Sequence, residues 1–249
     1  MKQCLRAFVA LSALLAGLCH AAQVDVAVAA NFTAPMQKIA LAFEQESGHK
    51  LVLSFGSTGR FFAQISNGAP FNVLLSADDE TPGRLEKEGL GVAGTRFTYA
   101  IGRLVLWSKQ PGLVDPAGEV LRKGTFDKIA IADPRLAPYG AAAMETLAKL
   151  ALKASLAPRF VQGESITQAF QYVATGNAAL GFVALSQVMA EGKIRDGSAW
   201  VVPASMHAAL RQDAVLLANA KGNPAAVALM AYLQSDKARA IIRSYGYAF

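Results

Sequence analysis

In VDVAVAANFT (residues 24–33) and LVLSFGSTG (residues 51–59), a run of apolar residues leads directly into a small polar cluster. This pattern is typical of a β-strand that ends where a helix begins. The first turn of a helix has backbone N–H groups without intrahelical acceptors and carries a partial positive charge. Two such turns brought together predict a site for an anion, and this site needs no cationic side chain.

Residues 1–21 have the pattern of a secretory signal peptide, which we expect to be cleaved from the mature chain. Lys2 and Arg6 precede a run, residues 7–18, that is apolar or small with one exception. This run is shorter than the roughly 20 apolar residues that span a bilayer, so a membrane anchor is disfavoured. A lipid anchor at Cys19 is also disfavoured, because the residue before it is not small. The segment therefore predicts a secreted protein.

The composition of the mature chain excludes several classes of function. Both cysteines lie in the predicted signal peptide, which argues against disulfides, zinc thiolates and a cysteine nucleophile. Loss of Lys2 and Arg6 lowers the formal charge from +6 to +4 (22 Lys+Arg against 18 Asp+Glu), without any Lys/Arg-rich run. We expect no nucleic-acid partner. His49 and His207 are far apart and show no triad or metal spacing, so we expect no enzyme and no cofactor.

The rest of the chain alternates predicted strands and helices. Strands are predicted at 24–30, 51–55 and 72–77, and each precedes a helical pattern. Three such units in a row predict parallel strands with right-handed crossovers. We expect Thr81 to cap the third helix, with Pro82 at its first position.

An extended segment at residues 97–107 is expected to leave the first sheet and enter a second, and residues 214–218 to return. We therefore predict an α/β fold with two lobes, each a mostly parallel sheet flanked by helices, joined by two crossover strands. The predicted division is a signal peptide (1–21), lobe 1 (22–102 and 212–249) and lobe 2 (103–211). In such a clamshell the cleft lies at the carboxyl ends of the strands.

Four strand-to-helix junctions, two from each lobe, supply candidate groups for this cleft. They contain Asn31, Ser57 and Thr58 in lobe 1, and Tyr139 and Ile166 in lobe 2. Each has a plain structural alternative: Asn31 as a helix cap, GSTG as an ordinary capped turn, and Tyr139 as a packed surface aromatic. We interpret the acidic triplet at residues 78–80 as a solvated turn rather than a metal site.

Motifs spread over residues 29–247 resemble those of a known family. They are AANF (29–32), FGSTG (55–59), QISNGAP (64–70), LSAD (75–78), ADP (132–134), PYG (138–140), LGFV (180–183) and YGY (245–247). Together they resemble the periplasmic molybdate-binding proteins of ABC-type molybdate importers. The resemblance covers the whole mature chain and implies the type II periplasmic-binding-protein fold. It also implies capture of molybdate or tungstate and delivery to a membrane permease, and we expect a monomer.

By position, the resemblance implies that the oxyanion is bound by Asn31, Thr58, Tyr139 and the backbone N–H of Ile166, with Ser57 as a neighbouring candidate. The metal would be held inside its oxyanion, without a direct protein ligand. Many members of the family have serine where Asn31 and Thr58 stand, which keeps a donor but alters the geometry. Many also have a tyrosine where this chain has Ala184, and members that lack it can supply a phenol from the position of Tyr139.

The chemistry of these groups favours a fully ionised tetrahedral dianion. Phosphate keeps a proton near neutral pH and gains from a carboxylate acceptor, whereas sulfate, molybdate and tungstate would be repelled by one. None of the candidate residues is acidic. The choice of molybdate over the smaller sulfate depends on cavity size, so it rests on the resemblance alone. A receptor for sulfate or another tetrahedral oxyanion stays open, and a secreted hydrolase is a less favoured alternative.

Overall fold

The computed structural model describes residues 22–190 and 192–249. The predicted signal peptide, with both cysteines, lies outside the described residues. Within the described part of the chain, no helix combines the length and the apolar character needed to cross a bilayer.

The first part of the chain forms the three predicted strand-helix units. They are β1 (Gln23–Ala29), α1 (Thr33–Ser47), β2 (Lys50–Gly56), α2 (Thr58–Ser66), β3 (Val73–Leu75) and α3 (Glu80–Lys87). Strand β1 pairs in parallel with both β2 and β3, as predicted. Helix α1 buries Met36, Ile39 and Phe43, which recur at helical spacing. It ends at Gly48, whose φ of 73° is the left-handed conformation that glycine adopts without strain.

The prediction that Thr81 caps the third helix is wrong. Helix α3 begins at Glu80, with Asp79 in the N-cap position. The carboxylate of Asp78 accepts hydrogen bonds from the Thr81 N–H (2.8 Å) and the Thr81 hydroxyl (3.2 Å), so Thr81 lies inside the first turn. Burial raises the pKa of the Asp78 carboxyl. The acidic triplet is therefore only partly solvated, because its first member is half-buried and hydrogen-bonded.

The extended segment is confirmed as two strands, β4 (Phe97–Gly102) and β5 (Leu104–Ser108), which belong to different sheets. The second lobe follows with α4 (Val120–Lys123), β6 (Ile129–Ala132), α5 (Pro138–Lys149), α6 (Lys153–Leu156), β7 (Phe160–Gly163), α7 (Ile166–Ala174), β8 (Leu180–Ala184), α8 (Leu185–Val188), a hairpin of β9 (Met189–Ala190) and β10 (Lys193–Ile194), and β11 (Ser198–Val201).

The return strand, β12 (Leu210–Leu216), begins before the predicted residue 214. Leu210 pairs with Gly102, the last residue of β4. Strand β12 therefore lies beside β4 as far as the crossover. The chain changes sheets at Arg103 and again within residues 202–209. Helices α9 (Pro224–Leu233) and α10 (Asp236–Ser244) complete the first lobe. The lobe bounds at 102/103 and 211/212 stay a prediction.

Each lobe contains one five-stranded sheet, ordered β2-β1-β3-β12-β4 and β11-β5-β8-β6-β7. The two-lobed α/β fold class is confirmed, although the sheets are mixed rather than mostly parallel. In each sheet two of the four strand pairings are parallel and two are antiparallel. The antiparallel pairings are those of β5 and β12, because these strands enter their sheets from the crossovers.

The two lobes are in contact at the carboxyl ends of their strands. Ala29, Ala30 and Ala77 of the first lobe belong to the same buried apolar cluster as the core of the second. This contact places the junction after β1 and the junction after β2 opposite the junctions that follow β6 and β7.

Candidate functional site

A small cavity lies between the lobes where the four junctions meet. With the lobes in contact its volume is about 10 Å³, roughly the space of one water-sized sphere. It is lined by Ala29, Ala30, Asn31, Gly56, Ser57, Thr58, Ala77, Ala137, Pro138, Tyr139 and Ile166. The structure thus brings together all five residues that the sequence nominated, three from the first lobe and two from the second. That they bind a ligand stays a prediction.

Ser57 and Thr58 stand at the start of α2, after β2. Ser57 occupies the N-cap position, yet its side chain makes no capping hydrogen bond. Its Oγ is the one buried side-chain nitrogen or oxygen among the described residues that has no hydrogen-bond partner. Leaving a buried hydroxyl unpaired costs about 1–3 kcal/mol. A ligand that forms a hydrogen bond with this hydroxyl would remove that cost.

Thr58 is partly satisfied within the protein. Its Oγ1 accepts a hydrogen bond from the Ala77 backbone N–H at 3.0 Å, and the Ser76 hydroxyl lies at 3.4 Å. Because a threonine hydroxyl has one proton as well as two acceptor lone pairs, the Thr58 proton is left for a further acceptor.

Asn31 lies in a short 3-10 turn, Ala30–Phe32, that joins β1 to α1. Its side chain is buried, and its Nδ2 donates to both Gln212 Oε1 and the Tyr247 hydroxyl at 2.9 Å. The helix-cap alternative is wrong, because Ala29 and Phe32 hold the cap positions. With both amide hydrogens engaged, the group of Asn31 left for a ligand is its backbone N–H, which has no intrahelical acceptor in a first turn.

Tyr139 is the second residue of α5, after Pro138, whose fixed φ suits the first helical position. The side chain is only 1% exposed, so the surface-aromatic alternative is wrong. The hydroxyl accepts a hydrogen bond from Gln212 Nε2 at 3.0 Å. Burial raises the pKa of Tyr139 well above its ordinary value, so the phenol keeps its proton.

Ile166 is the first residue of α7 and supplies an apolar side chain and a backbone N–H. Ser165 caps this helix, and its hydroxyl accepts from the backbone N–H of Gln168. That cap leaves the Ile166 N–H without an intrahelical acceptor, as at any helix start. The next residue, Thr167, donates its hydroxyl to the Ala30 carbonyl across the lobes at 3.3 Å.

Sequence reasoning missed the polar groups behind the cavity wall. Gln212, Tyr99, Ser186 and Tyr247 are buried and bonded to one another through Asn31. Tyr247 lies in the YGY motif (245–247), which by itself points to no contact with the cavity. Gln212 offered one signal, since it is an amide inside the strand sequence LRQDAVL.

The cavity contains no ionised side chain among its lining residues. Burial also raises the pKa of Tyr99 and of Tyr247, so the phenols behind the wall stay neutral. In the part of the chain that the structure describes, no three His, Cys, Asp or Glu side chains cluster where they could hold a metal ion. The arrangement can therefore hold an anion through neutral donors, which are strong hydrogen-bonding partners for a charged ligand.

Direct contacts hold the lobes closed around this cavity. The Gly59 N–H donates to the Leu136 carbonyl at 2.9 Å, and the Ser186 hydroxyl donates to the Asn31 carbonyl at 2.7 Å. At the rim, Arg60 Nη1 lies 3.1 Å from Glu164 Oε2. Each of these pairs joins one lobe to the other.

Comparison with known proteins supports this architecture. A family model described as bacterial extracellular solute-binding protein matches residues 24–248. The molybdate-binding protein ModA of Azotobacter vinelandii is 58% identical over 97% of this chain and 96% of its own length. The ModA of Rhodobacter capsulatus is 48% identical over 98% and 97%.

Solved structures agree with these relatives. A periplasmic molybdate-binding protein of Azotobacter vinelandii superposes with a TM-score of 0.88 at 42% identity, covering 91% of this chain and 99% of that one. The sulfate-binding protein SubI of Mycobacterium tuberculosis gives a TM-score of 0.75 at 13% identity, covering 91% and 86%. At that identity the likeness shows the fold alone.

Proposed function

The chain belongs to the bacterial extracellular solute-binding proteins, and we propose that it captures molybdate in the interlobe cavity and delivers it to an ABC importer. A family of this kind binds solutes for transport and does not catalyse a reaction on them. The observation that carries the proposal is the buried, unpartnered Ser57 hydroxyl in a cavity of neutral donors. The names of the most similar relatives favour molybdate within the class of oxyanions.

Five groups are available to the anion. They are the hydroxyl protons of Ser57, Thr58 and Tyr139, and the backbone N–H groups of Asn31 and Ile166. A hydrogen bond to a charged group contributes about 1.5–3 kcal/mol, so several of them offset the loss of hydration of a dianion. No lining side chain offers a carboxylate acceptor for the proton that phosphate carries. This chemistry favours molybdate, tungstate or sulfate over phosphate.

Capture requires the lobes to separate and close again, because direct hydrogen bonds join them beside the cavity in the structure. The crossovers at Arg103 and at residues 202–209 are the segments that join the two sheets, and they would act as the hinge. In this proposal the closed monomer docks on the membrane permease, and the signal peptide at 1–21 brings the chain to the periplasm. Tungstate has the same charge and shape as molybdate and would compete for the cavity.

Calorimetric titration of the mature protein with molybdate, tungstate, sulfate and phosphate tests the proposal. We expect one molybdate or tungstate per chain, and a higher melting temperature in their presence, because a ligand that binds only the folded state stabilises it. Phosphate should leave both readouts unchanged. Equal affinity for sulfate would move the assignment to a general receptor for tetrahedral dianions, and binding of none of these anions would overturn it.

A further inference from the structure

Gln212 lies on β12, next to the second crossover, and its side chain is completely buried. The register between β12 and β4 shifts between Gln212 and Asp213. The Asp213 carboxylate is bonded to Arg96 and Thr98, whereas the Gln212 amide is bonded to groups at the cavity wall. Leaving a buried amide unpaired is costly, so these hydrogen bonds stabilise the position of the Gln212 side chain.

The amide of Gln212 joins residues of both lobes. Its Oε1 accepts from Asn31 Nδ2 at 2.9 Å and lies 3.0 Å from the Tyr99 hydroxyl, while its Nε2 donates to the Tyr139 hydroxyl at 3.0 Å. A Cβ at Gly102 would overlap both the Tyr139 hydroxyl and the Gln212 amide. Only glycine at that position therefore leaves room for this bond.

The direction of this bond decides what Tyr139 can do. A phenol has a single proton, and Tyr139 accepts the bond from Gln212, so this proton is not used in that bond. The neighbouring Tyr247 hydroxyl can accept the proton, but a charged ligand in the cavity is the stronger acceptor. If the facing group were an acceptor instead, the phenol would donate to it and turn its lone pairs toward the anion.

We propose that Gln212 is a positioning residue for the anion site: its amide nitrogen leaves the Tyr139 proton to the ligand, while its amide oxygen holds the Asn31 side chain. This inference rests on the proposed function. It predicts that the affinity for molybdate depends on which atoms at position 212 donate and accept hydrogen bonds, and not only on the size of the side chain.

Gln212→Glu separates polarity from shape. The ionised carboxylate is acceptor-only, so it takes the Tyr139 proton and adds a negative charge beside the anion. The protonated carboxyl has one O–H that can donate to Tyr139 and a carbonyl oxygen that can accept from Asn31, so it can replace both of these bonds of the amide. Tyr99, Tyr139 and Tyr247 lie in the network around position 212 and have raised pKa values, and Asp78 and the Arg96-paired Asp213 both act electrostatically on Tyr99. All of these groups are also present in the parent protein, which controls for them. The new carboxyl is thus the group expected to titrate near neutral pH.

The experiment measures molybdate binding by calorimetry at several pH values and in buffers of different ionisation enthalpy. We expect the Gln212→Glu protein to bind at least about 100-fold more weakly than the parent at about pH 8. Above the pKa of the new carboxyl, its affinity should fall about tenfold per pH unit, with uptake of about one proton per anion. The parent protein should take up none, and it also reports any effect of pH on molybdate itself.

Asn72→Asp is the matched control. It makes the same amide-to-carboxylate change just before β3, at the end of the sheet away from the cavity, where Asn72 Oδ1 accepts from the Asp25 N–H. It should change neither the affinity nor the proton uptake. A Gln212→Glu protein that binds as the parent does at every pH, or that loses affinity without proton uptake, would overturn the inference. If the parent itself binds no molybdate, it is the proposed function that fails.

A second pair of variants keeps the inference testable should the glutamate variant not fold. Gln212→Met removes the amide at similar size, and Tyr139→Phe removes the phenol that it orients. Because the two residues act through one bond, the double variant should lose little more affinity than the more severe single variant. Additive losses would overturn the positioning role.

Discussion

The cavity between the lobes and the groove beside it share residues but differ in where they carry charge. Ala77, Ala137 and Pro138 line both spaces. The groove is also lined by Asp78, Asp79, Glu80, Arg84, Arg135 and Glu145. The cavity has no such group. Ionised side chains are thus kept at the rim, and neutral donors occupy the interior.

This difference assigns recognition of the anion to the cavity and a small contribution to lobe closure to the charged rim. A hydrogen bond in the buried cavity is little screened by water, so each neutral donor there acts strongly on an anion. The charges of the rim are in contact with solvent and act weakly: the Arg60 and Glu164 side chains are 61% and 64% exposed. We therefore expect substitutions in the cavity to change affinity greatly, and charge substitutions at the rim to change it little.

The largest effect is expected from a charge placed in the cavity. Ser57→Asp introduces a carboxylate at the unpartnered hydroxyl, close to a doubly negative ligand. Two unit charges about 4 Å apart repel by about 4 kcal/mol at an effective dielectric constant of about 20, so a carboxylate beside a dianion should lower the affinity by at least about 1,000-fold. Calorimetry with molybdate measures this loss.

Ser155→Asp, at an exposed serine of α6 in the second lobe, is the control for the added charge. It should leave the affinity for molybdate unchanged. If the Ser57→Asp protein folds and keeps its affinity within about tenfold of the parent, the anion does not occupy this cavity.

An intermediate effect is expected where the lobes touch without charge. A Cβ at Gly59 would lie 3.1 Å from Leu136 Cα and 3.2 Å from the Leu136 carbonyl oxygen, in the opposite lobe. Gly59→Ala should hold the lobes a few tenths of an ångström apart and weaken molybdate binding by about tenfold. It should not lower the free energy of unfolding, because alanine favours helix over glycine by up to about 1 kcal/mol.

Gly83→Ala is the matched control, since Gly83 also lies in a first-lobe helix and its Cβ would meet only the Arg96 side chain at 3.7 Å. Chemical denaturation and calorimetry on both variants give the comparison. The prediction is that stability rises or stays level in both, while affinity falls in Gly59→Ala alone. Equal affinities in the two variants would show that the short distance between Gly59 and Leu136 does not control how closely the two lobes approach.

The walls of the cavity could be predicted from the sequence because their signals are local. Ser57 and Thr58 directly follow an apolar strand, and Tyr139 follows a proline that begins a helix. Strand ends that precede helix starts meet at one edge of an α/β sheet. Neighbouring residues in the chain were therefore enough to nominate these positions.

The groups behind the wall could not be predicted, because their bonds join distant parts of the chain. Gln212 is 181 residues from Asn31 and 113 from Tyr99, and no local pattern specifies such a pairing. The same long-range bonds occupy the amide of Asn31, whose side chain the sequence nominated as a donor. The mixed pairing in the sheets was missed for a similar reason, since it depends on the direction in which β5 and β12 enter.

The smallest effect is expected from the charged rim. Glu164→Gln removes the ion pair with Arg60 across the cleft, and exposed pairs of this kind contribute little. We expect molybdate affinity to fall by less than about fivefold at low salt, and the difference from the parent to vanish at high salt, where exposed charges are screened. Glu88→Gln is the control: it makes the same change of net charge but breaks a pair with Arg84 inside one lobe. A loss confined to Glu164→Gln would assign the effect to closure, whereas equal changes in both variants would assign it to the overall field of the protein. A loss greater than about a hundredfold would contradict the division of roles between the neutral cavity and the charged rim. The rim would then contribute to holding the anion as much as the cavity does.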